Sequence, residues 1–371
     1  MGKTIIKSRK HTIILALFII ISALGFLFFY KFLMNRPDDK YTSAITLGGE
    51  WFLNNQDDNF LYYEYDISTR THSDVHHPLR ESGSLWSIAK LANYTEDPRY
   101  DSLVQKGFTY FEQHFEYDEQ NDFYYVNITP DNKKLGYSAF MILTLLETDH
   151  PQKNFYLEKF ANGILYQQKD DGSLATRFYS DSNASVDYYP GEALFALMSL
   201  YEYDRNPEYL EAVEQAFPHY SDYWDSNSNT AFAPWQTRAY QKLYNETERS
   251  VYAEFVFDMN DFVVDQYKTD VACTAFDFSA GSVVAVHMEG VNKAYELAED
   301  LSDSDRINCY GNFIQNASNY IISLQVTDTD KFEKKAIGGF LGSTTSTTTR
   351  VDRNQHAIIT LIEAQELGLL D

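Results

Sequence analysis

The chain has 371 residues, 44% of them hydrophobic, and a net charge of -24. That is enough apolar material for a large core, and too acidic a balance to bind nucleic acid by neutralising phosphates. Two cysteines, Cys273 and Cys309, are too few for a disulfide scaffold and wrongly spaced for a zinc cluster, although outside the cytoplasm they are able to pair.

The N-terminus reads as a membrane element. Lys3, Lys7, Arg9 and Lys10 precede Thr12–Tyr30, a run of nineteen residues without a charge. A helix needs about 20 apolar residues to cross the hydrocarbon layer. A cleaved signal peptide has an apolar core of about 7–15 residues and ends at a small-x-small site, whereas this run is longer and ends in Phe28, Phe29 and Tyr30. The expected layout is a cytoplasmic tail at 1–11, an uncleaved transmembrane signal anchor at 12–34 and an extracytoplasmic domain at 35–371, oriented by the basic residues that precede the span. Residues 1–34 hold five basic and no acidic side chains, which leaves -29 on 35–371. Such a domain is expected to have a solvated acidic surface and to disfavour a polyanionic glycan.

From residue 40 on, two classes of helix alternate. The first is amphipathic and is expected at 40–55, 98–116, 152–168, 206–223, 249–266 and 303–325. Several of its members end in related strings, "NNQDDNF", "YQQKDDGS", "DQYKTD" and "SLQVTDTD", which read as a helix stop and a tight turn. The second class starts at Arg80, Lys134, Tyr189, Pro234, His287 and Asp352. With Gly83, Gly136, Gly191, Trp235, Gly290 and Asn354 as markers, the gaps are 53, 55, 44, 55 and 64 residues, the span of a helical hairpin with its loops. Strings such as "AFMILTLL" are apolar on every face and belong inside. The predicted fold is all-α, an (α/α)6 toroid of six helical hairpins, with small strands confined to loops such as "FLYYEYD" and "DFYYVNI".

In such a ring the six inner helices run the same way, so their N-termini and the loops before them open at one end. That end is the expected funnel. The residues there include His76, His77, Arg80, Glu81, Lys133, Lys134, Tyr137, Tyr188, Tyr189, Glu192, Trp235, Arg238, His287, Glu289, Arg350, Asp352, Gln355 and His356. Aromatic faces stack on sugar rings, and charged forks bind hydroxyls or carboxylates. Glu192, Glu289, Asp352 and His356 are the candidate catalytic groups, and Arg80, Tyr137, Tyr188, Tyr189, Trp235 and Arg350 the candidate substrate contacts. Glu192 follows Tyr188-Tyr189-Pro190-Gly191, with the proline expected at the first helical position. Asp352 reads more readily as a helix N-cap, and His356 equally as a core histidine. The low-complexity run Ser343–Arg350 is expected to loop over the mouth.

The Gln-Asp-Gly helix ends, the Tyr-Pro-Gly-Glu start and the "FVFDMNDF" helix at 255–262 together resemble the six-hairpin glycosidase-like superfamily. Within it the chain is similar to the C-terminal domain of D-glucuronyl carbon-5 epimerases and to uncharacterised prokaryotic relatives. The resemblance covers most of 40–368 and implies a toroid with a carbohydrate site, and it transfers no individual residue role. Two other users of such a toroid are set aside: lanthionine cyclases need a Cys/His zinc site, which two cysteines 36 apart do not supply, and terpene cyclases need an aspartate-rich motif, whereas Asp57-Asp58 and Asp170-Asp171 are isolated pairs. Three function classes remain. The first is a membrane-anchored glycoside hydrolase using paired carboxylates. The second is a uronate epimerase or lyase, with Tyr189 or His356 as base and Arg80 or Arg350 on the carboxylate. The third is a non-catalytic glycan-binding or envelope-assembly protein. None requires a cofactor or a metal.

Overall fold

The computed structural model of the protein describes residues 39–128 and 133–370. The expected anchor at 12–34 lies outside the described residues, and among the described residues no helix is long and apolar enough to cross a membrane. Residues 39–43 group with the N-terminal segment. They open the first helix, where the Asp39 carboxylate accepts from the N–H groups of Tyr41 (2.7 Å) and Thr42 (2.9 Å). From residue 44 on the chain is one compact body.

Twelve α-helices occur among the described residues. They are α1 (Lys40–Asn54), α2 (Pro78–Thr95), α3 (Pro98–Glu112), α4 (Leu135–Leu146), α5 (Lys153–Tyr166), α6 (Tyr189–Asp204), α7 (Pro207–Asn227), α8 (Ala233–Thr247), α9 (Ser250–Asp265), α10 (Val284–Asp300), α11 (Ser304–Ser323) and α12 (Val351–Glu366). The even-numbered helices close a ring: α2 packs on α4, α4 on α6, α6 on α8, α8 on α10, α10 on α12, and α12 back on α2. Helices α3, α5, α7, α9 and α11 each pack outside the inner helix that precedes them, and Gly48 of α1 meets Ile358 of α12. The α/α toroid expected from the repeat is therefore present, with every helix start within three residues of its expected place.

The two rings start differently. Outer helices α3, α7 and α11 are capped by Asp97, Asn206 and Asp303, whose side chains accept from the N–H groups of Arg99, Glu208 and Arg306. Among the described residues none of the six inner helices has a side-chain cap; the first N–H groups of α4 and α12 donate instead to the carbonyls of Thr176 (3.0 Å) and Tyr63 (3.1 Å), and the positive dipole ends point toward the mouth. Asp352, a candidate cap, is the second residue of α12, and Arg350 holds the N-cap position. Pro190 is the second residue of α6 rather than the first. The glycine markers of the repeat have a packing cause. Gly83 of α2 lies against Gln355 of α12, and Gly191 of α6 against Trp235 of α8, with no room for a Cβ at either place.

Among the described residues, five short strands lie in the loops. β1 (Glu64–Asp66) pairs antiparallel with β2 (Thr71–His72) and with β5 (Thr348–Arg350), and β3 (Phe115–Asp118) forms a hairpin with β4 (Phe123–Val126). Cys273 and Cys309 form a disulfide, with Cα atoms 5.2 Å apart, that ties the loop after α9 to α11.

Candidate active site

A cavity of about 720 Å³ opens where the inner helices begin. All six starts contribute to it: His77 and Arg80 from α2, Lys134 from α4, Tyr188, Tyr189 and Glu192 from α6, Trp235 from α8, His287 from α10, and Arg350, Asp352 and His356 from α12. Gly342, just before the Ser343–Arg350 run, lines the cavity and accepts through its carbonyl from the Ser282 N–H (2.9 Å), so two long loops meet at the rim. Below lies an aromatic floor. Trp86, Phe140, Phe195 and Trp235, one from each of α2, α4, α6 and α8, sit with ring centroids 5.7–6.3 Å apart where they meet.

Eight of the ten candidate residues line this cavity: Arg80, Tyr188, Tyr189, Glu192, Trp235, Arg350, Asp352 and His356. Two do not. Tyr137 is fully buried and turns toward the outer ring, its ring centroid 6.5 Å from that of Phe111 on α3. Glu289 lies below the cavity because α10 begins at Val284, three residues before the expected start, which lowers Glu289 by a turn. Of the other residues expected at the mouth, Arg238 is also buried beneath it, its guanidinium 5.3–5.9 Å from the ring centroids of Trp86, Phe195 and Trp235. Arg177 and Arg353 line the cavity and were not foreseen.

Glu289 nonetheless acts on the site. Its Oε1 accepts from His356 Nδ1 at 2.7 Å, and its Oε2 accepts from Arg238 at 3.0 Å. Arg238 in turn holds Glu363 with two hydrogen bonds of 2.9 Å. Burial works against the Glu363 charge, but Arg238 outweighs it and keeps the carboxyl pKa below its ordinary range. The buried Glu289 carboxylate at Nδ1 orients the His356 ring, so that Nε2 is the nitrogen left for the cavity. His287 is the second imidazole. Burial first, then the nearby His356, push its pKa down to about 4, so it is neutral at physiological pH. Its Nδ1 lies 2.5 Å from the Tyr267 hydroxyl. Burial raises the pKa of that phenol, so its O–H remains a donor to Nδ1, and this hydrogen bond assigns the His287 proton to Nε2.

The two carboxyl groups of the cavity differ. Asp352 accepts from Arg350 at 2.9 and 2.6 Å, and Arg80 lies 3.1 Å away. Burial opposes its charge, yet Arg350 and Arg80 keep its pKa below the usual range. Both arginines expected to hold substrate are thus paired with Asp352, and both stand over the ring of Tyr63. Glu192 is the reverse case. It is buried, its Oε2 has no hydrogen-bond partner among the described residues, and burial, opposed only by Lys134, raises its pKa to about 8. Gly136 of α4 makes room for it, since a Cβ there would collide with the Glu192 carboxyl. Burial also raises the Tyr189 pKa, which counts against that phenol as a base. The acidic balance of the chain does not describe its cavity: among the described residues that line it are five cationic side chains, Arg80, Lys134, Arg177, Arg350 and Arg353, and two carboxyl groups, Glu192 and Asp352.

No family model matches the sequence, and no curated protein matches it. Solved structures do. GH76A α-1,6-mannanase from Salegentibacter sp. HEL1_6 superposes with a TM-score of 0.65 at 13% identity, over 89% of this chain and 99% of that one. Cellobiose 2-epimerase from Bacillus thermoamylovorans gives 0.63 at 14% identity over 86% and 95%, and a D-mannose isomerase gives 0.61 at 13% over 90% and 100%. The chain has the six-hairpin glycosidase fold. At these identities the likeness establishes the fold alone, and the six-hairpin toroid is hosted by hydrolases, epimerases and isomerases alike. A mannanase variant described as inactive has two consecutive aspartates replaced by asparagine. In this six-hairpin chain, the two carboxyl groups that line the cavity come instead from different hairpins, one on α6 and one on α12.

Proposed function

We propose that the protein is a carbohydrate-active enzyme of the epimerase or isomerase type, working by proton transfer at the His356–His287 pair. The observation that carries this reading is the buried Arg238–Glu289–His356 chain, which prepares one imidazole nitrogen as a base facing a sugar-sized cavity. In the step this geometry supports, His356 Nε2 takes the proton from the carbon beside a sugar carbonyl. The electron pair of that C–H bond becomes the carbon–carbon π bond of an enediolate as the C=O π pair moves onto the carbonyl oxygen, which accepts from the Nε2–H of His287. A proton from solvent on the opposite face of the same carbon, with His356 releasing its own proton to solvent, re-forms the carbonyl and gives the epimer; return of the His356 proton to the former carbonyl carbon, with the proton of the neighbouring hydroxyl passing to the former carbonyl oxygen, gives the isomer. The aromatic floor supplies a stacking surface and keeps water from below. The test is a panel of aldoses, ketoses and disaccharides followed by NMR with wild-type protein and His356→Asn. Conversion by the wild type that falls about 10²–10⁴-fold in the variant supports the reading, and conversion that survives the substitution counts against it.

Glycosidic cleavage is the second reading, and Glu192 favours it. A carboxyl group held protonated near neutral pH is suited to be a general acid, with the ionised Asp352 across the cavity mouth as its partner. Release of reducing sugar from an oligosaccharide, lost in Glu192→Gln and kept in His356→Asn, would select it. We also infer that the domain works outside the cytoplasm on an anchor at 12–34. The Cys273–Cys309 disulfide suits an oxidising compartment, and the charge-free run after four basic residues suits a signal anchor. A reporter fused after Asp371 should be active only on the outer side.

A further inference from the structure

Among the described residues six aromatic side chains are strongly exposed: Tyr117, Phe155, Tyr166, Tyr179, Tyr188 and Tyr203, at 42–54% each. All six belong to the β3–β4 hairpin, α5, the loop after α5 and α6, whereas the other exposed large apolar side chains are aliphatic and lie outside that stretch. Exposed apolar residues scattered singly need no explanation, but a one-sided cluster marks an interaction site.

The cluster is held together by its own contacts. The Tyr117 hydroxyl donates to the Asp122 carboxylate at 2.6 Å. The buried Lys159 ammonium donates to the same carboxylate at 2.8 Å and lies 5.9 Å from the ring centroid of Phe155. Tyr124 bridges the two rings, 5.1 Å from Tyr117 and 6.0 Å from Phe155. The Tyr203 hydroxyl donates at 3.0 Å to Asn154, the neighbour of Phe155. At the C-terminal end of α5 the Tyr166 ring lies 4.8 Å from Phe123 on the hairpin. The loop that follows α5 then leads to the cavity, which Ser185 and Tyr188 line.

The chemistry of this face suits sugar rings. The core of a protein interface is depleted in charged groups, whereas here carboxylate, ammonium and amide groups alternate with the rings. A pyranose offers a C–H face to an aromatic ring and hydroxyls to the polar groups beside it. The pinned hydroxyls of Tyr117 and Tyr203 hold their rings in place, so stacking orders little that is not ordered already.

We propose that this side of the toroid binds a polysaccharide chain, with Tyr117, Phe155 and Tyr166 as stacking platforms outside the cavity and Tyr188 as the link by which a chain end reaches it. This rests on reading the cavity as a sugar site and is independent of which reaction follows.

The test is affinity electrophoresis of the full-length protein in native gels cast with hydroxyethylcellulose, α-mannan or soluble starch, against a gel without polysaccharide. At least one polysaccharide should retard the wild type. A stacked ring is worth about two- to tenfold in affinity, so Tyr117→Ala, Phe155→Ala and Tyr166→Ala should each weaken the retardation by about that much. The triple variant should weaken it at least roughly tenfold with the thermal midpoint kept, and Phe155→Trp should retain it. The triple variant should convert a small sugar at the wild-type rate, and His356→Asn should stop that conversion and keep the retardation, which separates failure of the binding face from failure of the catalytic reading. No retardation by any of the three polysaccharides, or retardation unchanged in the triple variant, overturns the proposal. So does a wild-type dimer in sedimentation that the triple variant abolishes, because the face would then serve a second copy of the chain.

Discussion

Replacing Glu192 by Gln should remove a large pH dependence of stability. The carboxyl is buried, and its pKa is raised from 4.5 to about 8. Below pH 4.5 the group is protonated in both the folded and the unfolded chain. Between 4.5 and 8 the unfolded chain ionises while the folded one does not, so the folded state loses stability steadily as pH rises. Above 8 both forms are ionised and the loss is complete. At 1.36 kcal/mol per pH unit the full gap is worth about 5 kcal/mol, of which about 3.5 kcal/mol falls between pH 5 and pH 8. His287, with its pKa lowered to about 4, acts in the opposite sense by adding stability as pH rises toward 6.5. It is present in both proteins and cancels in the difference. The assay is urea unfolding of wild type and Glu192→Gln at pH 5 and pH 8. With a urea m-value near 3 kcal/mol/M, the wild-type midpoint should drop by about 1 M more than that of the variant. Midpoints that move in parallel would refute the claim that Glu192 is a buried, protonated acid.

Glu289→Gln should lower kcat by about 10²–10⁴-fold with little effect on KM, and the Glu289→Gln/His356→Asn double variant should be no slower than His356→Asn alone, because the two residues act as one unit. Steady-state kinetics check both. Gly136→Ala should destabilise the fold by about 1–3 kcal/mol, because its Cβ would meet the Glu192 carboxyl with Leu79 and Tyr189 close by, and thermal unfolding measures it. Cys273→Ser opens a loop of 36 residues, which in the chain-entropy account is worth about 4 kcal/mol. Denaturant unfolding of the variant against the oxidised wild type reads that loss.

The helices are legible in the sequence because their causes are local. Proline and asparagine or aspartate mark the outer starts at 97–98 and 206–207, and the apolar inner helices recur once per hairpin. The mouth is legible too, since a ring of parallel inner helices must bring their starts together. What fails is rotation and depth within a helix. Each residue turns the side chain by about 100°, so an error of one to three residues at a start decides whether a side chain faces the axis, the outer ring or the layer below. That error sends Tyr137 against Phe111 and drops Glu289 beneath the cavity. Arg177 is missed for a different reason. It lies 43 residues from Lys134 in a loop, and an isolated β-bridge between the two brings it to the cavity. Arg353 carries a signal that was readable, for it continues the Arg350–Asp352 string already assigned to the mouth. The pairing of Asp352 with two arginines, and the protonation of Glu192, depend on burial that no sequence pattern encodes.

The central claim is that His356 moves a proton at a sugar carbon, and solvent deuterium tests it most directly. Wild-type protein is incubated in D2O with the sugar it converts, and the carbon beside the carbonyl is followed by proton NMR. The account predicts loss of that proton signal during turnover, with deuterium in product and in recovered substrate, and no exchange above background in His356→Asn. Turnover that places no deuterium on carbon, or exchange that proceeds unchanged in His356→Asn, would contradict it.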